Sequence, residues 1–186
     1  MIPIASLMIW MVAGAAVREL LRAPSFFTDY GACPYEYCVY GKWVTLQKTP
    51  VFQAPSLKSR QIALLPKTMP IQALTGHVIT YGKIFTVTKA HQPYQPNDQL
   101  VVYTYYGEGS YLVWFKGKMY TESLMVSPYT DDATKRCLGK DPHCWGQFSS
   151  PPSLDWWVKI QWGNGRTGWV PGHNGYRYKN QDGGRF

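Results

Sequence analysis

Four cysteines and four histidines are the residues of this 186-residue chain whose types most invite chemistry. Cys33 and Cys38 enclose Pro34-Tyr35-Glu36-Tyr37, and Cys137 and Cys144 enclose Leu138-Gly139-Lys140-Asp141-Pro142-His143. An even count beside an export signal reads as disulfides, with three pairings open. Proximity favours Cys33–Cys38 with Cys137–Cys144. The rival is a zinc site of four thiolates. Structural zinc prefers cysteines two to four residues apart, because a tight turn aims both sulfurs at one tetrahedral ion. Gaps of four and six intervening residues fit poorly. His143 beside Cys144 does not help, since adjacent residues rarely point at one ion.

The other catalytic patterns fail on spacing. None of His77, His91, His143 and His173 stands four residues from another, so the helical zinc-protease pair is absent. Gly107-Glu108-Gly109-Ser110-Tyr111 is not the Gly-x-Ser-x-Gly elbow of a hydrolase and reads as a turn. A thiolate nucleophile needs a histidine base, and each cysteine here has a local partner. Glu108 and Glu122 are the best-placed carboxylates for glycoside hydrolysis, but nothing separates them from surface acids. No Walker-type phosphate loop occurs. The expectation is a protein that is not an enzyme and holds no metal or cofactor.

The elements that must position any site are short strands. The chain is 45% hydrophobic, 16% aromatic and 16% charged, with 17 Gly and 14 Pro. Apolar-rich runs between turn residues mark strands at 43–46, 62–65, 71–75, 84–88, 100–105, 111–115, 157–162 and 167–170. Asn164-Gly165 and Lys116-Gly117 mark hairpin turns. No amphipathic helix of ten residues follows Cys33. The reading is all-β, as a small barrel or sandwich. A Pro- and Ser-rich loop tied by the second cysteine pair occupies 127–150, and the polar residues 177–186 form a flexible tail.

The N-terminus sets the compartment. Leu7-Met8-Ile9-Trp10-Met11-Val12 is apolar and runs into Ala13-Gly14-Ala15, a cleavage-like pattern. No Lys or Arg precedes it, and Arg18 and Glu19 interrupt any longer span. Residues 1–32 are read as a signal peptide; the alternatives are a short hydrophobic helix that anchors the chain to a membrane and a simple helix packed on the domain. Cys33 lies too far from the apolar stretch to be a lipidation site. The net charge of +8 favours polyanionic partners. The basic residues are scattered, so a soluble basic surface is favoured over a phosphate-binding groove.

Two segments resemble the bacterial SH3-like (SH3b) domain. Val51-Phe52-Gln53-Ala54-Pro55-Ser56, then Ile62-Ala63-Leu64-Leu65, is similar to its opening strand and loop. Trp157-Val158-Lys159-Ile160, then Gly165-Arg166-Thr167-Gly168-Trp169-Val170, is similar to its closing hairpin, where Trp169 would pack back onto the barrel. The family's usual glycine near Lys67-Thr68 is missing. About eighty residues separate the two segments, more than such a domain contains. The resemblance therefore implies an outer barrel of 33–76 plus 151–176, with a second SH3-like barrel of 77–126 inserted.

Such barrels bind peptides or wall polymers with aromatic side chains. The candidates are Tyr81, Tyr103, Tyr105, Trp114, Trp156 and Tyr176. Trp114 and Trp169 alternate with apolar neighbours and are read first as core. Trp156 and Trp157 must point to opposite faces of their strand, and Trp156 is taken as the exposed one. The function expected is a non-enzymatic periplasmic or secreted module that recognises a peptide, peptidoglycan or protein partner. The alternatives are a cytoplasmic basic β-barrel that binds nucleic acid and a structural accessory subunit.

Overall fold

A computed structural model describes residues 22–35, 38–124, 137, 144–150, 153–172 and 176–181. The expected signal peptide or N-terminal helix lies outside these residues, apart from 22–32. The described residues are all-β and contain no helix. In chain order the strands are β1 (Phe26–Tyr30), β2 (Gly41–Thr45), β3 (Thr49–Phe52), β4 (Gln61–Leu65), β5 (Pro70–Tyr81), β6 (Lys83–Val87) and β7 (Gln99–Gly107). Then follow β8 (Ser110–Phe115), β9 (Lys118–Ser123), β10 (Gly146–Phe148), β11 (Ser153–Trp162), β12 (Arg166–Pro171) and β13 (Tyr178–Lys179).

The chain divides into two compact units. One consists of Thr28–Thr80 and Ser153–Phe186, and the other of Met1–Phe27 and Tyr81–Pro152. The first is an antiparallel half-barrel with strand order β13-β2-β5-β11-β12-β3-β4 and β1 paired to β5. Its closing hairpin β11–β12 runs in register from Trp157↔Pro171 to Trp162↔Arg166. Gly163 and Gly165 take positive φ in the turn, as the Asn-Gly pattern requires. Strand β5 alternates buried and accessible residues up to Ala73, skips at Leu74-Thr75, and resumes with Gly76, Val78 and Thr80 buried. That one-residue phase shift lets a twelve-residue strand keep an inward face as the sheet curves. The core gathers Trp43, Val51, Ile71, Trp156, Val158, Ile160 and Tyr178.

The second unit is a five-stranded sheet of order β10-β6-β7-β8-β9. Phe85, Leu100, Val102, Tyr111, Val113 and Phe115 fill one face with Trp145 and Phe148. Its other face carries Val101 opposite Trp114, and Trp114 opposite Met119.

Both disulfides are the local ones, Cys33–Cys38 and Cys137–Cys144, which leaves no free thiol for zinc. Two sequence expectations need correction. The stretch read as a loop contains β10, which pairs Gly146 with Val87 and Phe148 with Phe85. Residues 177–181 of the supposed flexible tail are anchored, since Tyr178 and Lys179 pair with Thr45 and Val44. In both places one or two aromatics drive the ordering. They are Trp145 and Phe148 in the loop, and Tyr178 in the tail, all buried. The remainder of each stretch lies outside the described residues, Cys137, Cys144 and Ser149-Ser150 apart.

Candidate functional site

The six aromatics named from the sequence do not converge. Trp156 is fully buried among Trp43 and Tyr35, with ring centroids 5.9 and 5.7 Å away. This overturns its reading as the exposed tryptophan. The signal was present in the strand: Val158, Ile160 and Trp162 share Trp156's parity, whereas Lys159 and Gln161 share Trp157's. Tyr103 is also fully buried, and its hydroxyl donates to the Pro24 carbonyl. Burial pushes its phenol up to about 12. Tyr105 packs on Tyr111 and the core of its sheet. Tyr176 packs on the half-barrel core. Trp114 is half-buried on the face away from its core, with its indole N–H unpaired. Tyr81 alone is well exposed, at the end of β5.

A different set comes together on the outer face of the half-barrel. Trp169 on β12 lies directly across from Lys159 on β11 and from Phe52 on β3. It is half-buried and points away from the core that Val170 joins, so its reading as a core residue is corrected too. The His77 ring from β5 meets the Trp169 ring at 4.4 Å. Tyr30 from β1 meets His77 edge-on at 4.7 Å and is 74% exposed. Farther along this face Trp157 and Phe52 pack edge to face at 5.6 Å. The result is a row of three rings from three strands beside one lysine. Tyr30 and His77 carry no strand-parity signal for such a site, because only pairing between distant segments brings them to Trp169.

Such a row can stack on flat or apolar ligand surfaces at small entropic cost, since its rings are held by strands. Lys159 adds a cation for a carboxylate. The His77 imidazole titrates below its ordinary value of 6.5, chiefly because burial disfavours its charged form and then because Lys159 repels it. The ring in the row is therefore neutral at neutral pH. As pH falls from about 6.5, the unfolded chain takes up this proton before the folded one, so stability declines across the window down to the lower folded value. His77→Phe keeps a ring in the row and removes the proton. Melting temperatures measured from about pH 7.5 to 5 should fall less steeply in the variant. Asp29, raised by burial, is common to both proteins and cancels. Parallel curves would show that His77 is not the titrating group.

Among the described residues no three His, Cys, Asp or Glu side chains gather as a metal ion requires. In comparisons with family models, curated proteins and solved structures, the chain matches none.

Proposed function

We propose that the protein is a non-enzymatic binding module of the bacterial envelope. In this reading its SH3-like half-barrel holds a peptide, peptidoglycan strand or protein partner across its outer face. The observation that carries the reading is the Tyr30–His77–Trp169 row beside Lys159. Two disulfides support an oxidising compartment outside the cytoplasm. The net charge of +8 would concentrate the protein near acidic wall polymers.

Purified sacculi test this directly. The protein should be retained at low salt, and Trp169→Ala and Tyr30→Ala should each weaken retention about tenfold, the loss of one stacking contact. Trp114→Ala, on the other sheet, should bind as the parent does. No retention at low salt would defeat the wall-binding reading. Tighter binding to single-stranded DNA, falling steeply with salt, would move the nucleic-acid reading ahead.

A further inference from the structure

Most of the sheet edges left open among the described residues are poor templates for another strand. β10 and β13 are three and two residues long. β9 carries Lys118 and Glu122, and β1 carries Asp29. Brevity and charge are common protections of an edge. β4 has neither. Its five residues Gln61-Ile62-Ala63-Leu64-Leu65 are uncharged and end the strand path of the half-barrel. Ala63 and Leu65 turn inward against the core, while Leu64 is 57% exposed and Ile62 40%. Leu57, in the loop before β4, is 68% exposed. The register shift opposite Val51 and Phe52 makes Ile62 a bulge and leaves the rest of β4 regular.

Charge selects the occupant. Between Glu36 and Asp98 the sequence contains no carboxylate. In the half-barrel's share of that stretch Lys42, Lys48, Lys58, Arg60 and Lys67 are all exposed. Lys58 and Arg60 stand before β4 and Lys67 after it, so the cations that look scattered in sequence frame this edge. A second copy of β4 paired antiparallel would set Arg60 near the other copy's Lys67, a like-charge arrangement that disfavours self-pairing.

We propose that the β4 edge takes up an extended peptide as an added antiparallel strand, acidic at both ends and apolar between. Main-chain hydrogen bonds would supply the ladder, and alternate apolar side chains would cover Leu64. Arg60 and Lys67 would meet the terminal carboxylates. The inference is independent of the aromatic row, which lies on other strands.

The probe is a fluorescein-labelled heptapeptide with Glu at each end and alternating Val and Thr between, followed by anisotropy on the full chain. It should bind, and its Lys-ended analogue should bind at least tenfold more weakly. The doubly reversed Arg60→Glu/Lys67→Glu variant should invert that preference. N-methylation of alternate amides should abolish binding on one edge of the peptide and spare it on the other. Leu64→Glu should weaken the Glu-ended peptide, and Trp169→Ala should leave it unchanged. All three altered β4-side residues are exposed, so melting curves should match the parent. Equal tolerance of both N-methylated peptides, or equal competition by polyaspartate or a single-stranded oligonucleotide, would reduce the surface to a general polyanion site and overturn the proposal. A dimer abolished by Leu64→Glu would overturn it in favour of self-pairing.

Discussion

Trp156→Ala should cost about 3–5 kcal/mol of folding stability, a large share of what a domain of this size has. The indole is fully buried and touches Trp43 and Tyr35 edge-on. Gly172 lies against it: a Cβ there would come within 2.4 Å of indole carbons Cδ2 and Cε3. The Gly172 N–H also donates to the Trp156 carbonyl at 2.7 Å. Gly172→Ala should therefore destabilise by overpacking, by about 1–3 kcal/mol. The two positions are coupled. In a Trp156→Phe background the smaller ring makes room, and Gly172→Ala should cost less than it does alone. Urea titrations of the four proteins close this cycle. A loss under about 1 kcal/mol for Trp156→Ala would mean that the ring is not a core anchor.

The strand character of the chain was legible because it is local. Val158, Ile160 and Trp162 alternate with Lys159 and Gln161, and Asn164-Gly165 specifies the turn that follows. The disulfides were legible for the same reason, since each closes a loop of a few residues. Trp156 is placed inward by a parity that shows only over the length of the strand, shared with Val158, Ile160 and Trp162. Strand β8 is harder: Tyr111 to Phe115 is apolar throughout, and only its pairing tells that Tyr111, Val113 and Phe115 face the core while Trp114 does not.

The candidate site was not legible at all as a group. Tyr30, His77 and Trp169 sit on three strands, and each has an ordinary neighbourhood in sequence. Their meeting depends on β5 pairing with both β1 and β11, and on β11 pairing with β12, which no local pattern specifies. Short strands were lost for a related reason. β10 and β13 form because Phe148 and Tyr178 find buried places in sheets whose other members are far away in the chain. Their immediate surroundings favour turns, with Gly146 opening β10 and Asn180 following β13.

The C-terminal strand gives the second large effect. Tyr178→Ala should cost about 3–5 kcal/mol, and Tyr178→Phe about 1 kcal/mol. The phenol ring lies 5.2 Å from Trp43, and its hydroxyl donates to the Pro171 carbonyl at 2.7 Å. Burial, with Tyr176 nearby, raises its pKa well above the phenol range, so the hydroxyl stays a donor at neutral pH. Phe keeps the ring and strands the Pro171 carbonyl, whereas Ala empties the site. The flanking backbone is bound as well. Leu46 N–H donates to the Arg177 carbonyl, Val39 N–H to the Gln181 carbonyl, and the Gln181 side chain to the Tyr35 hydroxyl. A loose tail would give near-zero changes for both variants, so the graded pair in urea titrations separates the two pictures. Trp43 touches both Tyr178 and Trp156. The losses from Tyr178→Ala and Trp156→Ala should therefore be non-additive, because the first cavity already lets Trp43 move into space that the second would open.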